Sequence, residues 1–272
     1  MRGAAPGHPY RMPFTFKESA LRALEIAYWI FAILMFLAFG LAAFLVVLLP
    51  LGVSARRYIA HAVARAFFWS VGMPIRVKDA HNLPVGPCVI VANHASYLDG
   101  PVLKAALPAR FCFVIKKEVS RVPVAGFLLR RIGSEFVDRF NRHAGGMDAR
   151  RLLKAADAGQ ALAFFPEGTF LPNAGIGKFH SGAFAIAART ALPVAPIGIR
   201  GTRRILPSGR FLPRPGVIDI HVLPALGPFP ELDSSEVIAL TRDQSRARIL
   251  DATGEPDLGA ADAVAALQAR QA

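Results

Sequence analysis

PCVIVANHASYLD, residues 87–99, joins a short apolar run to a polar turn. The run PCVIVA has strand length and no polar position, the pattern of a strand buried on both faces inside a parallel sheet. It ends in Asn93, His94, Ser96 and Asp99. On a continuous helix His94 and Asp99 would be separated by about 500° of rotation and would not share a face. A strand-to-helix turn removes that constraint. Asp99 can then accept a hydrogen bond from one ring nitrogen of His94, which fixes the tautomer and leaves the other nitrogen as a base. The open carboxyl ends of parallel strands are where α/β proteins place their sites. The stretch by itself leaves two readings open: a base with its orienter, or a helix cap beside a bystander histidine.

Similar strand-length apolar runs recur from residue 75 onward: IRVKD, FCFVIK, SEFVD, ALAFFP, LPVAPIGI and VIDIHVL. Helical patterns lie between several of them, at 101–107, 121–131, 146–158 and 180–190. Strands alternating with helices predict an α/β domain whose mixed, largely parallel sheet is flanked by helices. No internal repeat or long linker divides it. Residues 74–230 are read as the catalytic domain, and 231–272 as a helix near 234–250 with a loosely ordered tail.

The N-terminal part differs in kind. Residues 1–25 form a polar lead-in, and residues 26–55 contain no charged side chain. About 20 apolar residues span a bilayer as a helix, and this run is apolar on every side. It is too long and starts too late for a cleavable signal peptide. Gly40 and Pro50 interrupt it, so either one helix spans and stops near Pro50, or a bend at Gly40 makes a hairpin that dips into one leaflet. RYIAHAVARAFFWS, 57–70, reads as an amphipathic helix with a basic face, lying on the membrane surface or packed on the domain. Residues 26–73 together form the membrane-associated segment. Arg56, Arg57, Arg65, Arg76 and Lys78 follow the apolar run, against Arg11, Lys17 and Arg22 before it. The positive-inside rule therefore places the catalytic domain in the cytoplasm.

The chain of 272 residues is 53 % hydrophobic and carries a formal net charge of +13. The apolar content points to membrane contact, and the charge points to an anionic partner: nucleic acid, anionic lipid or a phosphorylated substrate. Cys88 and Cys112 both lie in apolar runs and read as two buried thiols rather than a disulfide, which fits a reducing compartment.

Two further stretches carry polar residues at strand ends. ALAFFPEGTF, 161–170, ends in Glu167, Gly168 and Thr169. Gly168 permits a positive φ, and Glu167 in that position must be exposed or paired. GSEFVDRF, 133–140, supplies Asp138 and Arg139, and Arg139 can grip a phosphate or form a surface ion pair. The chain has no G-x-S-x-G elbow, Walker A loop or H-E-x-x-H pair, and no Cys/His set with metal spacing.

In this order the stretches resemble the glycerolipid acyltransferase family, typified by lysophosphatidic acid acyltransferases. Asn93, His94, Ser96 and Asp99 match its N-H-x-S-x-x-D motif. Gly133, Phe136, Asp138 and Arg139 match G-x-I-F-x-D-R in outline, and Phe165–Thr169 match F-P-E-G-T-R. LPVAPIGI, 192–199, is similar to a fourth, proline-bearing motif, and the resemblance covers roughly residues 75–225. Two positions depart from it. Phe170 stands where the third motif ends in arginine, and Phe179-His180-Ser181-Gly182, preceded by Lys178, replaces a basic F-K-x-G stretch.

The resemblance implies transfer of a fatty acyl group from acyl-CoA or acyl carrier protein to the hydroxyl of lysophosphatidic acid. His94 acts as base and Asp99 as its orienter. Asn93, Ser96, Glu167, Gly168, Thr169, Arg139 and Lys178 bind substrate. It implies no metal, no bound cofactor and no nucleic acid. The expected partners are the lyso-lipid, the thioester carrier and a bilayer with anionic lipid, placing the protein at a bacterial inner membrane. Phe170 leaves room for a different acceptor, such as a lyso-ornithine lipid. A thioesterase or lipid hydrolase, and a non-catalytic basic membrane-anchored binding module, are the competing readings.

Overall fold

Seven strands form one sheet in the computed structural model, which describes residues 16–138, 142–170, 173–230 and 233–259. The strands are β1 (Ile75–Lys78), β2 (Val89–Ala92), β3 (Cys112–Lys116), β4 (Glu135–Val137), β5 (Leu162–Phe164), β6 (Val194–Arg200) and β7 (Ile218–Val222). Their order is β1-β7-β6-β2-β5-β3-β4. Every pairing is parallel except β6 with β7. All seven predicted strands are present, and the sheet is mixed and largely parallel as expected.

The helices are α1 (Phe16–Leu48), α2 (Val53–Ser70), α3 (Asp99–Ala106), α4 (Pro123–Arg131), α5 (Arg142–Asp157), α6 (Gly182–Arg189), the one-turn α7 (Thr202–Ile205) and α8 (Ser234–Thr253). Residues Val89 to Ala92 are each 0 % exposed, because β2 lies between β6 and β5 with helices on both faces. Ile90 and Ala92 enter a core with Phe68, Val102, Leu103 and Ile220, under α2 and α3. Val89 and Val91 enter the opposite core with Leu152, Phe184 and Ile249, under α5, α6 and α8. The period of two thus distributes one uninterrupted apolar run between two cores. Cys88 and Cys112 are buried and free.

Of the two readings of the apolar run, the one with a single helix ending near Pro50 matches the structure, and no bend falls at Gly40. Helix α1 begins at Phe16, inside the stretch read as lead-in, and runs unbroken through Gly40. The reversal falls at Leu49–Gly52, where Pro50 cannot continue a helix. Helix α2 then returns along α1. Tyr28 Oη donates to the Val71 carbonyl at 3.0 Å, and Phe36 and Phe39 meet Phe67 edge-on at 6.2 and 5.9 Å. Ser19–Leu48 is long and apolar enough to cross a membrane, and only 11 % of its most apolar window is buried in the protein.

Helix α2 is packed on the domain along one face, while Tyr58 and Trp69 stay exposed on the other. Helix α2 lies on α3 and on α1. Its two leading arginines turn inward to carbonyls that end other elements. Arg57 donates to Ile132 at 2.9 Å, Gly133 at 2.8 Å and Arg110 at 3.3 Å. Arg56 reaches Leu49 at 3.1 Å and Arg131 at 3.4 Å. In return Arg131 donates to the Val47 carbonyl at 2.9 Å, capping the end of α1. Hydrogen bonds from charged donors contribute more than neutral ones, and loss of a buried donor strands its acceptors. Arg57→Leu is therefore expected to cost about 2–3 kcal/mol. A lowered unfolding midpoint in detergent would register that cost, and an unchanged midpoint would refute the anchoring role.

Candidate active site

The carboxyl ends of β6, β2 and β5 lie side by side, and the polar stretches follow β2 and β5 there. The turn after β2 is organised by one oxygen. Asp99 Oδ2 accepts from His94 Nδ1 at 2.8 Å, from the Ala95 N–H at 2.6 Å and from the Ser96 N–H at 2.8 Å. Asp99 is the first residue of α3 and is fully buried; a carboxylate there also opposes the positive end of the helix dipole. Its second oxygen, Oδ1, is buried without a hydrogen-bond partner among the described residues. An ionised carboxylate only accepts, so Nδ1 carries the imidazole proton and Nε2 presents a lone pair. Nε2 has no hydrogen bond among the described residues, and the His94 side chain is 19 % exposed. The predicted base-and-orienter geometry is present.

Asn93 and Ser96 fasten this turn to its neighbours. Asn93 Nδ2 donates to the Ile199 carbonyl at 3.0 Å, and its Oδ1 accepts the Ile199 N–H at 2.7 Å. The side-chain amide thereby imitates one more peptide of β2 against β6. Ser96 Oγ donates to the Leu206 carbonyl at 2.7 Å and accepts the Leu98 N–H at 3.2 Å. Both residues are buried.

Glu167 joins the second polar stretch to the first. Its Oε1 accepts the backbone N–H of His94 at 2.7 Å, and its Oε2 accepts the N–H of Gly177 at 2.9 Å. Burial pushes its carboxyl above the usual range, and those two N–H donors with the neighbouring His94 oppose the rise. Gly168 takes φ +80° as its N–H closes the turn onto the Phe165 carbonyl at 3.0 Å, a conformation that glycine adopts without a Cβ clash. Thr169 and Lys178 are exposed at the surface beside this turn. Arg139 lies outside the described residues. Its neighbour Asp138 pairs with Lys117 at 3.3 Å and donates its N–H to Asp148 at 2.7 Å.

The aromatic surroundings of His94 are what motif reasoning missed. Phe165 stacks on the imidazole with centroids 4.3 Å apart, and Phe170 meets it edge-on at 4.8 Å. Phe170 also meets Tyr97 edge-on at 4.7 Å. The side chain that replaces the motif arginine therefore borders the base. Its position next to F-P-E-G-T was the available signal. On the far side of Phe165, an apolar cavity of about 430 Å³ lies between α5, α6 and the sheet, with Val114, Leu152, Phe164 and Ile186 among its walls.

A buried carboxylate orienting a partly exposed histidine at the open end of an α/β sheet is an arrangement that can take or give a proton. Residues 74–200 match the model of the acyltransferase family. The chloroplast 1-acyl-sn-glycerol-3-phosphate acyltransferase of Brassica napus is 35 % identical over 135 residues, 49 % of this chain and 39 % of the relative. A lyso-ornithine lipid O-acyltransferase of Pseudomonas aeruginosa is 32 % identical over 159 residues, 57 % of this chain and 58 % of the relative. The chain thus spans well under two thirds of the length of these relatives. The crystal structure of the 1-acyl-sn-glycerophosphate acyltransferase of Thermotoga maritima shares the fold with a TM-score of 0.64 at 21 % identity, covering 84 % of this chain and 95 % of that one. These matches make residues 74–200, the part of the chain that holds the site, similar to the acyltransferase family.

Replacing Glu167 by Gln would set an NH₂ group against one of the two N–H donors it now satisfies. Glu167→Gln is expected to destabilise the fold by about 1–3 kcal/mol, the cost of an unmet buried donor. Thermal unfolding measures this, and wild-type stability would contradict the pairing.

Proposed function

We propose that the protein transfers a fatty acyl group from an acyl thioester, on coenzyme A or acyl carrier protein, to the hydroxyl of lysophosphatidic acid, yielding phosphatidic acid. The observation that carries the reading is the His94–Asp99 pair with Nε2 turned outward. His94 Nε2 takes the proton of the acceptor hydroxyl as its oxygen attacks the thioester carbonyl. The tetrahedral intermediate collapses with cleavage of the C–S bond, and the imidazolium returns the proton to the departing thiolate. An ester and a free thiol result, with no acyl-enzyme. Asp99 holds the ring and stabilises the transient imidazolium, helped by the Phe165 face stacked on it. Backbone N–H groups of the turns stabilise the oxyanion. Asn93, Ser96 and Glu167 contribute by fixing the turn. Gly168, Thr169 and Lys178, which lie at or beside the turn after β5, bind the acceptor in this reading, and Arg139 binds its head group. The mechanism calls for neither a metal nor a bound cofactor.

The exposed apolar surface of α1 supports membrane association, where the lyso-lipid resides. The net charge of +13 suits anionic lipid and an anionic thioester carrier. The excess of basic residues after the apolar run supports a cytoplasmic catalytic domain at a bacterial inner membrane.

One observation favours a second acceptor. Phe170 offers His94 an aromatic edge where the family motif has a phosphate-binding cation. A lyso-ornithine lipid carries no phosphate and fits that substitution, and the Pseudomonas relative is named for it. Purified protein supplied with labelled acyl-CoA or acyl carrier protein and a panel of lyso-lipids is expected to give phosphatidic acid by mass, with His94→Ala slower by about 10²–10⁴-fold. A phosphate-free product selects the second reading. Free fatty acid released without any lyso-lipid dependence, or full activity in folded His94→Ala, overturns the proposal.

A further inference from the structure

Glu167 grips the backbone of His94 with one oxygen and the N–H of Gly177 with the other, so the catalytic turn inherits the position of the loop that carries Gly177. That loop, residues 173–178, has no place in the sheet. It is held from outside, by α8, by the segment that follows α8, and by α7.

The segment Glu255–Leu258 runs alongside it as a short parallel bridge between Ile176 and Asp257. The Ile176 N–H donates to the Pro256 carbonyl at 2.9 Å, and the Leu258 N–H donates to the Ile176 carbonyl at 3.1 Å. Arg246, in the second half of α8, closes the arrangement. Its Nε donates to the Gly177 carbonyl at 2.9 Å and its Nη2 to the Ile176 carbonyl at 3.0 Å. Both terminal nitrogens also bind the Asp257 carboxylate, Nη1 at 3.0 Å to Oδ2 and Nη2 to Oδ1. On the other side Arg203 of α7 donates to the carbonyls of Asn173 at 2.8 Å and Gly175 at 3.2 Å and pairs with Glu255 at 3.3 Å. Gly175 has φ +133°, and a Cβ there would meet Leu258 at 2.5 Å and the Pro256 carbonyl at 2.8 Å, so the two segments touch backbone to backbone.

We propose that Arg246 is a positioning residue for the reaction: with Asp257 it latches the loop 173–178 onto the C-terminal segment, and through Gly177 and Glu167 it sets the backbone of His94. The chain of contacts is continuous and short: Arg246 to the Gly177 carbonyl, the Gly177 N–H to Glu167, and Glu167 to the His94 N–H. Each peptide group of Gly177 faces one partner, so a loop released at its carbonyl side moves its amide side as well. The guanidinium suits the task because its planar fork spans two carbonyls and a carboxylate together, which an ammonium cannot do. Side chains remote from the chemistry matter to rate when they fix a base by fractions of an ångström, and about 1 Å of displacement can cost about 10²-fold. The proposal rests on His94 being the base of the acyl transfer proposed above.

The test is steady-state kinetics on the full-length protein, with an acyl-CoA donor and the acceptor that wild-type uses, beside thermal unfolding of the same samples. Arg246→Ala is expected to lower kcat by about 10- to 100-fold, with KM for donor and acceptor within about threefold of wild-type. Arg246→Lys keeps a cation beside Asp257 but loses the fork, and is expected to recover only part of kcat. Asp257→Asn is isosteric at a site that is 39 % exposed, so it folds even if Arg246→Ala does not, and is expected to lower kcat by about 3- to 10-fold. A lowered melting temperature with wild-type kcat per folded molecule in Asp257→Asn and Arg246→Lys overturns the proposal, because the contacts then only stabilise. Failure of the functional reading looks different: wild-type itself would transfer no acyl group to any lyso-lipid.

Discussion

One buried oxygen holds the site together. Asp99 Oδ2 accepts three N–H groups, one from the His94 ring and two from the turn between them. The same atom therefore shapes the backbone that carries His94 and aims its ring. Remove it and two buried peptide N–H groups lose their acceptor along with the ring. This explains why the polar residues after β2 are so closely spaced. The strand delivers His94, the turn reverses the chain, and Asp99 must arrive at the first position of α3 to reach back over that turn.

The remaining polar residues attach this turn to the scaffold in different directions. Asn93 ties it to β6, Ser96 to the chain after α7, and Glu167 to the turn after β5 and the loop at Gly177. Those attachments work because β6, β2 and β5 are adjacent and parallel, so their carboxyl ends come together without any long loop. On the other side of the sheet Arg56, Arg57 and Arg131 tie the helical hairpin to the ends of α1 and α4 and to the entry of β4. The apolar face of α1 and the histidine turn are thus parts of one packed unit.

The sheet was legible because each strand is an uninterrupted or alternating apolar run of fixed length, bounded by turn residues. Buried strands have no other way to look. The pairing of His94 with Asp99 was legible because one turn carries both residues and brings them within hydrogen-bond reach. The choice between a stop near Pro50 and a bend at Gly40 was left open because the apolar composition is the same on either side; Gly40 is tolerated inside a helix at modest cost, whereas Pro50 is not. The engagement of Asn93, Ser96 and Glu167 within the protein was hidden for another reason. Their partners, Ile199, Leu206 and Gly177, contribute backbone groups only, and a backbone acceptor leaves no mark in the sequence. Arg246 and Asp257 lie in the stretch read as a helix with a loosely ordered tail, and no motif marks them. Phe170 was visible as a departure from a motif, but its edge contact with His94 needed coordinates.

The proposed transfer requires Asp99 to act on the His94 ring and not only on the fold. Replacing it with Asn keeps its size and one acceptor oxygen while removing the charge that fixes the imidazole tautomer. The deciding measurement is kcat for acyl transfer by folded Asp99→Asn protein, with the fraction folded determined on the same sample. A fall of about 10³–10⁴-fold is the predicted result. Wild-type kcat in the folded variant would contradict the assignment of Asp99 as the orienter of His94.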